Sequence, residues 1–397
     1  MTVRADPLVH TDVAPDTAPP AASQRVFSID LARGAAVFFM IAVHTLWMFG
    51  SREAQADSSF GHWVHVAGQG ACAFLITMGF SFMVVRDQRL GSALRRGAVI
   101  LLVAYGLNVL KFIVPIYVFG TMPEAFIAAY GWHSPLTLTQ ALYLIGTGDI
   151  LAMAGISFFL IGLVRHFVTH KYGVLALAFG AVGFSALVRG TRIGYPPVDA
   201  VLDLLWGTEW NVYFPVFPWI ANILVGMFLG MVYREHGRDE LALLRAAGAL
   251  GLILLIGGGL VTMTDWDYHF NDFFHTGPGG AVYLIGAGLC VFYLGARFLA
   301  VPLRHQRGFR AALTYLSRHV TTLYVVQWTL ICWAMGLIGY QTLGVWQVAG
   351  MMPVMIAATL LIEYAVRRAA GLMRGGWAIG DVPAVPDGVP RGRGQPD

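Results

Sequence analysis

Ten long apolar stretches separated by short polar connections leave this chain few folds to choose from. About 20 apolar residues cross about 30 Å of hydrocarbon at 1.5 Å per residue. That rule places helices near 27–49, 61–85, 93–119, 139–165, 172–188, 212–233, 243–264, 279–301, 313–337 and 341–366. Charged residues are 12% of the chain against 57% hydrophobic, with mean hydropathy +0.65. A water-soluble domain carries about 25% charged residues, so this surface is too poor in charge to face water. The expected fold class is all-α: a polytopic integral membrane protein with about ten transmembrane helices, its main partner the lipid bilayer.

The basic residues check that count. With a cytoplasmic N-terminus the even-numbered connections face the cytoplasm. They carry Arg86, Arg89, Arg95 and Arg96, then Arg165 and Lys171, then Arg234, Arg238 and Arg245, then Arg297, Arg304, Arg307, Arg310 and Arg318. The C-terminal end adds Arg367, Arg368, Arg374, Arg391 and Arg393, while the odd-numbered connections hold only Arg52, Arg189 and Arg192. This is the positive-inside bias, and one helix added or missed would destroy it. Both termini are expected in the cytoplasm, with the protein multi-pass in a bacterial cytoplasmic (inner) membrane.

Residues 1–24 are rich in Pro and Ala and lack the 7–15-residue apolar core of a signal peptide, so they read as a disordered cytoplasmic tail. Residues 25–366 form the membrane domain, and 367–397 read as a Pro/Gly-rich cytoplasmic tail. The formal charge of +4 reflects the inside arginines and implies no nucleic-acid partner. Cys72, Cys290 and Cys332 sit in apolar spans without metal-ligand spacing, so neither a metal nor a disulfide is expected. No glycine-rich phosphate loop, nucleophile elbow or internal repeat occurs.

Ionisable residues inside spans carry the functional information, because each costs about 2.5–3.5 kcal/mol to bury in lipid. Arg33 and His44 stand eleven residues apart in the first span, one turn after Asp30. At 100° per residue they share one stripe of the helix, about 16 Å apart along its axis. An arginine near the cytoplasm can grip phosphate or pantetheine oxygens, and a histidine further in can deprotonate an acceptor. The bland alternatives are an interfacial Arg33 paired with Asp30 and a core His44 bonded to a neighbouring helix. Asp149, in 146-GTGDILAMAG-155, reads as lying about 15 Å down the fourth helix. There it either orients His44 as a base is oriented in a triad or makes a structural hydrogen bond. Lys111, at a similar depth, could snorkel outward, pair with Asp149 or stabilise an oxyanion. Arg95 and Arg96 are topogenic by default and secondary candidates for phosphate contact. The segment 265-DWDYHFNDFFH-275 mixes acids, aromatics and His as a sugar-binding surface would, and as an interfacial belt also does.

The stretch 25-RVFSIDLARGAAVFFMIAVH-44 resembles the opening of membrane acyltransferase family three, an Asp-x-x-Arg-Gly run followed by Arg-x10-His, with Asp30, Arg33, Gly34 and His44 at those positions. The segment 74-FLITMGFSF-82 is similar to that family's "FxxSGF", with Met78 and Gly79 where Ser and Gly usually stand. The segment 313-LTYLSRHVTTLYVVQ-327 is similar to its late helix, with Gln327 in place of the usual His. The run 214-FPVFPWIANILVGMFLGMVY-233 resembles the heparan-α-glucosaminide N-acetyltransferase group instead. Both resemblances imply transfer of an acyl group, usually acetyl, from acyl-CoA to a sugar hydroxyl or amine. On that reading His44 is the catalytic base, Asp149 its orienter, and Arg33, with Arg95 and Arg96, holds the donor. The acceptor would be a glycan or exopolysaccharide, supplied by polysaccharide-synthesis machinery. The rival class is a transporter or flippase for a small polar or glycan-linked solute. It would place broken helices at corresponding positions of two halves, and Pro215 and Pro218 have no such match five spans away.

Overall fold

The computed structural model describes residues 25–85 and 87–373 of the 397. The N-terminal tail, Arg86, and Arg374, Arg391 and Arg393 lie outside the described residues. Among the described residues ten helices are long and apolar enough to cross a membrane: α1 Phe27–Phe49, α2 Ser59–Val84, α3 Leu90–Val118, α4 Ile150–Phe167, α5 Lys171–Val188, α6 Val216–Glu235, α7 Glu240–Thr262, α8 Pro278–Leu303, α9 Val320–Ile338 and α10 Val345–Met373. No strand occurs among the described residues, only two isolated bridges. The all-α, ten-span expectation therefore holds. Helix α10 continues past residue 366, so the first residues assigned to the C-terminal tail are helical.

Three predicted helices divide: the second turns at Gln69–Gly70 between Ser59–Gly68 and Ala71–Val84, and two others break for local reasons. The fourth was expected to run over 139–165, but Leu138–Ile145 is a separate short helix opened by a Thr137–Gln140 capping box and ended at Gly146. Gly146, Thr147 and Gly148 follow, and α4 starts only after Asp149. Asp149 is thus a helix cap and not a mid-helix residue. A polar residue flanked by two glycines before an Asp favours a turn and cap over a continuous helix. The ninth was expected over 313–337, but 313–318 ends a separate amphipathic helix, Arg307–Arg318, with a break at His319.

That amphipathic helix explains the Asp-x-x-Arg-Gly run. Ser317 donates a 2.6 Å hydrogen bond to Asp30, whose carboxylate also takes Arg25 at 3.0 Å. A Cβ on Gly34 would stand 2.9 Å from Leu313 Cδ2, so glycine is what lets the two helices close. Asp30 therefore pairs with Arg25, and not with Arg33 as the sequence suggested.

Lateral contacts show that the connections alternate between two sides. On one side Ser51 N–H bonds Leu343 O, Gly148 bridges Val212, Arg189 reaches Tyr268 O and His275 reaches Val212 O. On the other, Arg165 and Arg234 both donate to Gln88, and Lys171 pairs with Glu235. The first side is the arginine-poor one.

Helix α6 is the most enclosed span, and its contact with α2 is made through glycines. A Cβ on Gly79 would lie 1.9 Å from Ile223 O, and one on Gly226 would lie 1.9 Å from Ile76 O. Close backbone approach of this kind is the main source of helix cohesion in lipid, where burying apolar surface gains little. Gly226→Ala is expected to lower stability by about 1–3 kcal/mol through overpacking. Gly257→Ala, in α7 with nothing within 4 Å of its added Cβ, serves as the neutral comparison. Thermal unfolding and monodisperse yield in detergent measure both, and equal behaviour would dismiss the glycine contact.

Candidate active site

The Arg33/His44 stripe runs along an unbroken α1, and each end meets a different neighbour. Arg33 Nε donates to Thr77 Oγ1 at 3.3 Å, and its Nη2 lies 3.5 Å from Thr77 O on α2. It makes no ion pair among the described residues. An arginine with neutral partners keeps its charge available to an anion, whereas Asp30 beside it is already matched by Arg25.

His44 is buried between α1 and α9. Its ring lies 4.0 Å from the Trp328 ring at 30°, 5.4 Å from Trp47 and 6.3 Å from Tyr324. Its Nδ1 is 3.1 Å from Gln327 Nε2. Residues 324, 327 and 328 face α1 together because spacings of three and four return to one helix face.

Lys111 and Asp149 form the second half of the cluster. Asn108 ties α3 to the break before α4 by donating to Ile145 O at 2.7 Å and Thr147 O at 2.8 Å. Beyond Asn108, α3 continues as a π-helix over Val109–Val118 around Pro115. Proline cannot donate to the preceding turn, and a π-helix widens that turn to accommodate it. Lys111 leaves this segment only 3% exposed, with Nζ 3.4 Å from Asp149 Oδ2 and over the Phe112 and Trp328 rings. Asp149 Oδ1 accepts from the backbone of Leu151 and Ala152, while Oδ2 also takes the Tyr324 hydroxyl at 3.3 Å. The outward-snorkelling reading of Lys111 is thereby replaced by a buried ion pair. Asp149 joins the His44 cluster through Tyr324 and Lys111, and the hydrogen bond to His44 comes from Gln327.

Arg95 is exposed and Arg96 half-exposed on the arginine-rich side, and no hydrogen bond links either to the cluster. The 265–275 segment does approach it. Phe274 lies 6.0 Å from the Trp47 ring, and Trp219 of the FPVFPW run donates to Phe274 O at 2.8 Å. His275 bonds Asp272 at 2.5 Å and Val212 O at 2.7 Å. Burial works against the Asp272 carboxylate, but His275 and the Phe274 N–H outweigh it and hold the group below its usual range. Burial pushes the neighbouring Tyr213 phenol up to about 12, with Tyr340 and Tyr143 adding to it. An aromatic path thus runs from the arginine-poor surface through Phe274 and Trp47 to His44.

Sequence reading passed over Tyr324, Trp328 and Gln327 as site residues. Their shared face at three- and four-residue spacing was the signal available. No group of three His, Cys, Asp or Glu side chains placed to hold a metal occurs among the described residues.

Comparison with known proteins bears on this arrangement. No curated protein matches the chain. A family model, heparan-alpha-glucosaminide N-acetyltransferase, catalytic, matches residues 25–261. That stretch runs from the start of the Arg33/His44 helix to the end of α7. It takes in Arg33, His44, Lys111, Asp149 and the FPVFPW run, and the family implies an acetyltransferase. The chain therefore belongs to the heparan-alpha-glucosaminide N-acetyltransferase catalytic family, as a protein of ten candidate membrane spans.

Proposed function

We propose that the protein transfers an acetyl group from acetyl-CoA, presented on the arginine-rich cytoplasmic side, to an amine or hydroxyl of a glycan or exopolysaccharide reaching the opposite face. The observation that carries this is the polarity of the α1 stripe. It joins an arginine with no ion pair among the described residues near one side to a histidine buried near the other, inside the family-matched stretch. Arg33, with Arg95 and Arg96 further out, holds donor phosphate or pantetheine oxygens. His44 takes the proton as the acceptor heteroatom attacks the thioester carbonyl. The new C–N or C–O bond forms, the C–S bond breaks, and the proton passes to the departing CoA thiolate. The Lys111–Asp149 pair holds the wall of this site. The bacterial inner membrane and a polysaccharide-synthesis partner belong to the same proposal.

The transporter reading finds little support in the helix breaks. Helix α1, five spans before α6, is uninterrupted. Helices α3 and α8 both contain π-helical turns, but Lys111 in α3 is buried and Arg297 in α8 is exposed.

Purified protein in lipid nanodiscs, supplied with labelled acetyl-CoA and amino-sugar acceptors, is expected to release CoA and label the acceptor. Arg33→Ala is expected to raise KM for acetyl-CoA by about tenfold or more, the loss of a charge-assisted contact of about 1.5–3 kcal/mol. Arg33→Lys should fall between, because an ammonium keeps the charge but lacks the planar fork. An unchanged KM in a folded Arg33→Ala protein would reduce Arg33 to a helix-packing role.

A further inference from the structure

The mechanism needs His44 to accept a proton at one nitrogen, and the structure bears on which one. Nδ1 is held by the Gln327 side chain at 3.1 Å, whereas Nε2 has no hydrogen-bond partner among the described residues. Trp328 stacks on the ring at 4.0 Å and restricts its rotation. Nε2 is therefore the nitrogen left for the reacting atoms.

The hydrogen bond between Gln327 and Nδ1 has two settings, related by a half-turn of the terminal amide that exchanges O and N. If the NH2 group donates to Nδ1, that nitrogen carries the lone pair and Nε2 already carries a hydrogen. The ring then cannot take a proton at Nε2. If Oε1 faces Nδ1–H, the lone pair is at Nε2 and the ring is a base there. Gln327 is fully buried, and with its NH2 toward His44 its Oε1 has no partner. Turning the amide brings that oxygen onto Nδ1–H.

We propose that Gln327 is the positioning residue of the reaction: its Oε1 accepts from His44 Nδ1–H, fixes the tautomer and directs the Nε2 lone pair at the acceptor. This rests on the reading of His44 as base. Gln327 lies on α9, beyond the stretch matched to the family. The charged and titratable groups near the pair are Lys111, Asp149 and Tyr324, and none of them supplies the Nδ1 contact.

Two substitutions test it, compared by kcat, KM for acetyl-CoA and the pH profile of kcat. Gln327→Leu removes the hydrogen bond with little change of volume. It is expected to lower kcat by about 10–100-fold, by analogy with removal of the group that orients a metal-bound histidine, and to leave KM for acetyl-CoA nearly unchanged. Gln327→Glu offers Nδ1–H a carboxylate that accepts the same bond. It is expected to keep kcat within about tenfold of the parent, with the acid limb of the profile moved to higher pH because a carboxylate stabilises the imidazolium. Unfolding temperature is measured alongside, so that loss of fold is separated from loss of kcat. A parental kcat in Gln327→Leu overturns the proposal, as does a Gln327→Glu protein that is folded and as slow as Gln327→Leu. The base itself fails differently: His44→Ala would then retain activity whatever Gln327 does.

Discussion

His44→Ala is expected to lower the acetyl-transfer rate by about 10²–10⁴-fold, or about 3–5 kcal/mol of transition-state stabilisation. Folding should survive, because His44 contributes one hydrogen bond and ring stacking, and a small apolar residue in that position is at home between helices. His44→Gln is the sharper variant. It keeps a polar group near Gln327 and much of the contact with Trp328 but cannot carry a proton between acceptor and leaving thiolate. It should be nearly as slow as His44→Ala. Single-turnover transfer from labelled acetyl-CoA measures both against the parent. Parental activity in His44→Gln would remove the base and leave His44 a hydrogen-bonding core residue. The search for a proton acceptor would then move to Asp149.

The second large effect belongs to the Lys111–Asp149 pair. Removing one partner of a buried pair strands the other charge and typically costs about 3–5 kcal/mol. Lys111→Met is expected to fall in that range, since Asp149 keeps only the Tyr324 hydroxyl and its two capping N–H groups. Asp149→Asn should cost as much for the opposite reason, leaving an ammonium among the Phe112 and Trp328 rings. The double variant Lys111→Met/Asp149→Asn removes both charges and should recover most of the loss, because neither group is then buried uncompensated. Unfolding temperatures of the four proteins in one detergent give the coupling directly. Additive losses would mean that the two side chains act independently and that the pair does not hold α3 to α4.

The ten helices, their alternation across the membrane and the Arg33/His44 stripe follow from the sequence, because hydropathy and helical period act within a single segment. The same is true of the likeness at 25–44 and 214–233, later matched by the family over 25–261. The positions of Asp149 and Lys111 along the chain were equally visible, but their states were not. Whether Asp149 sits in mid-helix or caps one depends on how 146–149 breaks, and whether Lys111 snorkels or is buried depends on a π-helical turn around Pro115. Asp30 looked like the partner of Arg33 one turn away, yet the closer match was Arg25, with Ser317 arriving from 287 residues along the chain.

The sequence alone determined that this chain crosses a membrane about ten times and carries a charged and a titratable residue on one helix face. Only the tertiary structure decided that Gln327 and not Asp149 holds His44, that Asp149 serves Lys111, and that Trp219 fastens the 265–275 segment beside Trp47. The physical reason is that span formation is a sum of local transfer energies. A buried polar group, by contrast, takes whichever partner the packing of distant helices brings within hydrogen-bond reach.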